Sequence, residues 1–369
     1  YWERLINPPR IRAEVTARAL GITEPIEIGD LLLSPEAQAI LVTQMIGKFC
    51  HSADYHLAAR HLTFVPGLSP DKVRELAGYL LPLANKGWSN LQDPDGWGLR
   101  FLHDHYLKMY QLSDPKISGY DMVVVDEAQD TNPAVASIFR GQTHLQQAAV
   151  GDSNQSLYEW RGAVNALADW PADQRLFLSQ SFRFGPAIAE EANLFLETLG
   201  AELRLRAHEG KNSRVGLVEA PDAVLCRTNA TALGLAMEAM EQGHAAALVG
   251  RSSGKGKNAK GGGEILRLAK AVQELDQKGH TNHSELATFR SWHQVRQYVR
   301  DEPEAAGDLA TMVRLIENHG VEEIIQAIDA LVPEAEADVV FPTGHASKGR
   351  EWNRVKIADD FAKLAPIPD

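Results

Sequence analysis

Two adjacent carboxylates, Asp126 and Glu127, close the run Met122-Val-Val-Val125. A short apolar, β-branched run bounded by polar residues reads as a buried strand of a parallel sheet, covered on both faces. Open α/β sheets bind ligands at the carboxyl ends of such strands. There the pair can divide labour: one carboxylate holds Mg²⁺, mostly through water, and the other polarises an attacking water. Alone, the pair is equally a solvated turn after any strand. The residues downstream decide between the two.

The elements that must position this pair follow from periodicity. From Ile117 onward short strands alternate with helices, the α/β pattern. Strands are predicted at Tyr120–Val125, Gln147–Val150, Leu176–Leu178, Val215–Glu219, Ala223–Cys226, Ala245–Val249, Val339–Phe341 and Val355–Ala358. Helices start at Pro133 and Pro186, where proline suits the first turn, and another covers Thr231–Gln242. Before Ile117 the chain reads as all-helical. Arg12–Leu20 stops at Gly21, and Ser34-Pro35 and Ser69-Pro70 open two further helices as cap and first-turn residue. A loop rich in Trp, Gly and Asp over Gly87–Gly98 precedes a last helix, Phe101–Leu112. Glu264 to Leu331 reads as helical throughout.

Composition sets bounds on function. A chain of 369 residues predicts two or more units. The net charge of -12 excludes a protein that coats nucleic acid non-specifically, although it leaves room for a local basic and aromatic track. Two cysteines, Cys50 and Cys226, exclude a disulfide framework and a Cys-based zinc site. No apolar run is long enough to span a membrane, and Tyr1 to Pro8 lacks a signal-peptide layout. These features point to a reducing cytoplasmic or nuclear compartment. Cys50, His51, His56 and His61 invite a metal reading. Histidines five apart, however, stand about 140° apart around a helix and cannot share a face. The Gly/Ser/Lys-rich stretch Gly250–Gly263 resembles a phosphate loop only in composition. Lys255 follows Gly250 by five residues and no Gly-Lys-Ser/Thr follows.

Four spaced blocks line up in order: Asp126-Glu-Ala-Gln-Asp130-Thr-Asn-Pro133; Val150-Gly-Asp-Ser-Asn-Gln155-Ser-Leu-Tyr158-Glu-Trp160-Arg161-Gly162-Ala163; Leu178-Ser-Gln-Ser-Phe182-Arg183-Phe184-Gly185; and Thr343-Gly-His345-Ala-Ser-Lys348-Gly349-Arg350-Glu351-Trp352. Together they resemble superfamily 1 DNA helicases of the UvrD/Rep type. The Lys348–Trp352 variant and the small helical insertion are most similar to the F-box DNA helicase subgroup and its bacterial relatives. The motifs cover residues 120 to 361; the helical first unit matches in position and texture only.

The resemblance implies ATP and Mg²⁺ as cofactors and a role for each block. Asp126 would bind Mg²⁺ through water, and Glu127 would orient and deprotonate the attacking water. Gln155 would sense the γ-phosphate or that water, since an amide donates and accepts without charge; taken alone it reads as a surface loop amide. Tyr158 and Trp160 would stack single-stranded bases, each stack being worth about 1–3 kcal/mol. Arg161 would pair with phosphate or brace the nearby carboxylates. Core packing is the alternative for the aromatic pair, for Tyr158 especially. Arg183 resembles the arginine finger, whose guanidinium stabilises charge on the leaving phosphoryl group. Phe182 matches the adenine-stacking ring; burial beneath the following helix is its alternative, and the preferred reading of Phe184. Thr343 and His345 would contact the DNA backbone. Gly349 forms the turn with Lys348, itself equally a solvated charge, and Glu351 would touch the ribose or couple nucleotide to DNA. Trp352 reads as core.

The implied fold is α/β: two RecA-like parallel-sheet motor cores of the P-loop NTPase type with helical insertions. Residues 1–112 would be the insertion of the first motor domain and 113–178 the rest of its core. Residues 179–262 and 335–369 would form the second core, interrupted by the insertion 263–334. ATP would bind between the cores and single-stranded DNA or a junction would cross their top, with 3′→5′ movement in recombination and repair. The family's Gly-Lys-Thr/Ser loop and its last arginine motif are not found in these 369 residues, for which truncation is the simplest account. The alternative is a non-catalytic DNA- or protein-binding half of a split helicase, with repair or defence proteins as partners.

Overall fold

The computed structural model describes residues 11–29, 31–156, 167, 170, 172–250 and 261–361. The chain divides into two compact units, residues 1–171 with 274–298, and 172–273 with 299–369. No helix among the described residues is long and apolar enough to cross a membrane.

The first unit opens with helix α1 (Ala13–Leu20), followed by an antiparallel hairpin of β1 (Ile26–Ile28) and β2 (Leu31–Leu33), with Ile26 opposite Leu33. The hairpin departs from the all-helical expectation; two triplets are too short to give a readable alternation. Helix α2 (Pro35–His51) is capped as expected, Ser34 Oγ accepting the Ala37 amide at 3.2 Å. Its Leu41, Met45, Ile46 and Phe49 are buried at helical spacing. Helix α3 (Pro70–Gln92) starts at Pro70, but Ser69 makes no side-chain cap bond. This helix also runs through the stretch expected to be a loop from Gly87. A Cβ at Gly87 would stand 2.9 Å from Ile46 Cδ1, so glycine here serves close packing, and Trp88 and Leu91 are buried beside it. Phe49 and Trp88 meet edge-on with centroids 5.4 Å apart. Helix α4 is His103–Leu112.

Strand β3 (Met122–Val125) then pairs in parallel with β4 (Gln146–Ala149), Val125 opposite Ala149. Helix α5 (Pro133–Arg140) connects them, capped by Asn132 Oδ1 on the Val135 amide at 2.9 Å. Val125, Ala128, Ala136 and Trp170 form the local core. Coverage is one-sided: Val125 is 6 % exposed while Met122 and Val124 are 43 % and 54 % exposed. The expectation of burial on both faces is therefore corrected for β3; a continuous apolar run carries no alternation to say which face is covered.

In the second unit a four-stranded, all-parallel sheet has the order β6 (Ala246–Leu248), β7 (Val339–Phe341), β5 (Ala223–Leu225), β8 (Val355–Ile357). Helix α6 (Pro186–Thr198) precedes it, and α7 (Asn229–Glu241) follows β5. Ala223, Ala247, Val249 and Val340 form the centre, with Trp352 packed against them as expected. Leu176–Leu178 and Val215–Glu219 are not strands. Leu176 and Leu178 are 86 % and 85 % exposed and Leu217 is 84 % exposed, because neither segment finds a ladder partner. The pairing falls instead on a single bridge, Gln180 to Arg206. The helical stretch expected over Glu264–Leu331 is interrupted. Helices Gly263–Lys278, Trp292–Asp301, Pro303–Ala306, Asp308–His319 and Val321–Ala330 are broken after Lys278 at Gly279, at Glu302, at Gly307 and at Gly320, the three glycines all at positive φ.

Candidate functional site

Strand β3 delivers Asp126 and Glu127 to solvent at its carboxyl end. Asp126 Oδ1 accepts the Glu127 amide at 2.9 Å. Glu127 lies in the left-handed region, φ 52° and ψ 42°, a conformation costing a non-glycine residue about 1–2 kcal/mol. It persists because the surrounding bonds over-determine it. The Ala128 amide donates to the Val150 carbonyl at 2.9 Å, and the Val150 amide to the Val125 carbonyl at 2.8 Å. A 3-10 turn, Ala128–Asp130, then buries Gln129 completely.

Gln129 was not among the residues singled out from sequence, yet it joins the parts of this site. Its Nε2 donates to Glu127 Oε2 at 2.6 Å, and its Oε1 accepts the Asp152 amide at 3.0 Å. Ser156 Oγ donates to its carbonyl at 3.4 Å. The signal that could have found it is an uncharged amide two residues past Glu127 in an acidic turn. Gly151 makes room for it: a Cβ there would fall 2.2 Å from Gln129 Oε1. Asp152 continues the connection. Its Oδ1 accepts the Asn154 amide at 3.0 Å, and its Oδ2 accepts Gln155 Nε2 at 2.7 Å within the turn Ser153–Gln155. Asp126, Glu127 and Gln155 are thus gathered at neighbouring strand ends, linked through Gln129 and Asp152. Tyr158, Trp160 and Arg161 lie outside the described residues.

The remaining candidates belong to the second unit. Phe182 is 66 % exposed, which removes the alternative of burial beneath the following helix. Phe184 is half-buried. Arg183 Nε pairs with Glu351 Oε1 at 3.1 Å, both side chains being well exposed. Two residues 168 apart in sequence are thus brought together by the fold. Glu351 follows a turn in which Gly349 sits at φ 78° and the Arg350 amide donates to the Ser347 carbonyl at 2.9 Å. Only glycine takes that φ without strain. Thr343 is 8 % exposed, and its Oγ1 accepts the Ala346 amide at 3.4 Å, capping the short helix Gly344–Ser347; His345 on that helix is exposed.

The histidines and cysteines have local structural duties. His61 Nε2 lies 2.8 Å from Asp54 Oδ2 and its Nδ1 accepts the Ala58 amide at 2.9 Å. His105 Nδ1 accepts the Leu102 amide at 3.0 Å. Both thiols are buried, which pushes Cys50 and Cys226 up to about 12 and makes them poor nucleophiles.

The UvrD/REP helicase N-terminal domain family matches residues 103–169, which include the Asp126-Glu127 strand end and Gln155. F-box DNA helicase 1 of Gallus gallus is 32 % identical over 302 residues, covering 76 % of this chain and 29 % of the relative. F-box DNA helicase protein 1 of Schizosaccharomyces pombe is 26 % identical over 347 residues, covering 86 % of this chain and 38 % of the relative. ATP-dependent DNA helicase PcrA of Leuconostoc citreum is 37 % identical over 81 residues, 20 % of this chain and 11 % of the relative. The chain thus spans only 29 % and 38 % of the two F-box relatives it matches. With ordered motif blocks and a carboxylate pair on a parallel strand end, this chain carries a UvrD/REP helicase N-terminal domain match over residues 103–169 and has F-box and PcrA-type DNA helicases among its relatives.

Proposed function

We propose that this chain carries part of the motor of an ATP-hydrolysing DNA helicase or translocase. The motor moves 3′→5′ along single-stranded DNA or from junctions, in recombination and repair, in the cytoplasm of a bacterium or the nucleus of a eukaryote. The observation that carries the reading is Glu127, a carboxylate held in a left-handed conformation at a parallel strand end by a buried amide. Strained non-glycine residues concentrate at working sites.

On this reading Glu127 orients the attacking water and takes its proton, its free direction fixed by Gln129. Asp126, an exposed carboxylate at the same strand end, is the oxygen ligand a hard cation takes, through water. Mg²⁺ bound with the triphosphate supplies neutralisation of the phosphoryl oxygens. Gln155 reports the state of the γ-phosphate to the Asp152 loop. Arg183 stabilises charge on the transferred group, Phe182 stacks on adenine, and Glu351 contacts the ribose beside the Gly349 turn. Tyr158, Trp160 and Arg161 stack and hold the strand, with Thr343 and His345 on its backbone. The parallel sheets belong to two RecA-like cores, residues 113–178 and residues 179–262 with 335–369. Residues 1–112 and 263–334 are the helical insertions.

The test is Glu127→Gln in the full-length protein. ATP turnover with single-stranded DNA should fall by about 10²–10⁴-fold, with nucleotide binding retained in a fluorescent-ATP titration. Turnover at the wild-type rate would sink the role given to Glu127.

A further inference from the structure

Residues Arg206–Lys211 pair along the segment Ser179–Gly185, which carries Phe182 and Arg183. The Arg206 amide donates to the Ser179 carbonyl at 2.8 Å and the Ser181 amide to the Arg206 carbonyl at 2.9 Å. Arg206 Nε donates to Ser179 Oγ at 3.0 Å. Further on, the His208 amide donates to the Phe184 carbonyl at 3.2 Å and Lys211 Nζ to the Arg183 carbonyl at 3.2 Å. The two segments touch so closely at Gly185 that a Cβ there would fall 1.9 Å from the Lys211 carbonyl oxygen. The turn from His208 to Lys211 closes on itself: the Lys211 amide donates to the His208 carbonyl at 3.1 Å, and the Gly210 amide to His208 Nδ1 at 3.1 Å. The imidazole is therefore fixed from its own turn.

Against that fixed ring lies Phe182, centroids 5.7 Å apart and planes inclined by 57°. The tilted geometry is one in which aromatic pairs attract beyond their buried area. Phe182 nevertheless keeps 66 % of its surface exposed. His208 also lines an open hollow of about 530 Å³ together with Gln180, Arg206 and Glu209. A large aromatic ring on the surface has many orientations open to it unless something restrains it, and ordering it on binding reduces affinity.

We propose that His208 is a positioning residue for the nucleobase, restraining the Phe182 ring so that its open face meets the base of ATP. The inference rests on the proposed function, in which Phe182 stacks on adenine. His208 itself transfers no proton and touches no phosphate.

The test uses the full-length protein and compares His208→Ala and His208→Phe by ATPase kinetics with single-stranded DNA. Inorganic tripolyphosphate, which has no base, serves as a competitive probe. In His208→Ala the KM for ATP should rise about two- to tenfold, the range an aromatic pair is worth. kcat and the inhibition constant for tripolyphosphate should stay at wild-type values. That unchanged constant also reports an intact fold. His208→Phe, which preserves a ring at 208, should restore the wild-type KM. An unchanged KM in His208→Ala would overturn the inference, as would parallel weakening of tripolyphosphate or no rescue by phenylalanine. A wild-type protein that turns over no ATP would overturn the parent reading and this one together.

Discussion

Gln129 Nε2 donates to Glu127 Oε2 at 2.6 Å while its Oε1 accepts the Asp152 amide at 3.0 Å. One buried side chain thus ties the end of β3 to the loop after β4. In Gln129→Ala the Asp152 amide loses its acceptor, and a buried unpaired amide costs about 1–3 kcal/mol. Glu127 loses its restraint in a conformation it would not otherwise hold. The full-length variant should melt a few degrees lower and lose about tenfold or more in kcat for DNA-stimulated ATP turnover, with KM for ATP unchanged. Gln129→Glu keeps the acceptor for Asp152 but sets a second carboxylate against Glu127. It should lose activity as fully, and a carboxylate buried against Glu127 should cost at least as much stability as the unpaired amide. Thermal melts and steady-state kinetics on the same preparations check both; a Gln129→Ala protein with wild-type kcat would show that Glu127 needs no such restraint.

Gly151 is required by contact. A methyl group there would stand 2.2 Å from Gln129 Oε1, 2.9 Å from Leu167 Cδ1 and 3.0 Å from the Ala128 amide. Gly151→Ala must displace the Gln129 amide or the turn beneath it. Overpacking of this kind costs about 1–3 kcal/mol. Because the displaced atom is the Asp152 acceptor, the expected kinetic pattern matches that of Gln129→Ala: kcat falls and KM stays. If Gly151→Ala changed KM alone, the distortion would have travelled elsewhere.

The strand end that presents Asp126 and Glu127 could be read from the chain because an apolar β-branched run stopped by carboxylates is a local pattern. The caps at Ser34 and Asn132 are local in the same way. Gln129 could not be read as a bridge. Its partner Asp152 is fixed only by the parallel register that sets Val125 beside Ala149. The same holds for Arg183 and Glu351, whose ion pair joins two blocks chosen separately. Leu176–Leu178 shows the reverse failure. Its composition suits a strand, but a strand exists only where a neighbour offers a ladder, and these side chains stand in solvent.

Arg183 and Glu351 make an ion pair between side chains that are 67 % and 61 % exposed. Exposed pairs are worth about 0–1 kcal/mol, so neither Arg183→Ala nor Glu351→Gln should shift the melting temperature by more than about a degree or two. Catalysis should respond very differently. Removing a guanidinium that stabilises phosphoryl charge costs about 10³-fold or more in kcat. Arg183→Lys should recover only part of that, since an ammonium lacks the planar fork. A large stability loss without a loss of turnover would mark the pair as structural. ATPase assays alongside calorimetry separate the two.

Lys108 is fully buried in α4 and donates from Nζ to the carbonyls of Ser52 at 2.9 Å and Asp54 at 2.5 Å, just past the end of α2. Its ammonium also lies 4.2 Å from the centre of the Phe49 ring. Burial pulls this amine down to about 8, against the opposing pull of Cys50 and Asp54. Between pH 8 and the ordinary lysine range the unfolded chain holds a proton that the folded chain has released, so stability from this group rises with pH there. Over the single unit from pH 8 to 9 the gain is on the order of 1 kcal/mol. Cys50 and Cys226 act in the opposite direction from about pH 9. Burial raises both to about 12, so the folded chain keeps protons that the unfolded chain loses, and stability falls. Subtracting the melting profile of Lys108→Met from that of the wild type reports the amine together with its coupling to Cys50 and Asp54. The difference should move in favour of the wild type between pH 8 and 9. The variant should be less stable at pH 7.5, because two carbonyls lose their donor. A difference that stays flat from pH 7 to 10 would mean that Lys108 keeps its proton throughout, held by its carbonyl partners more strongly than burial opposes it.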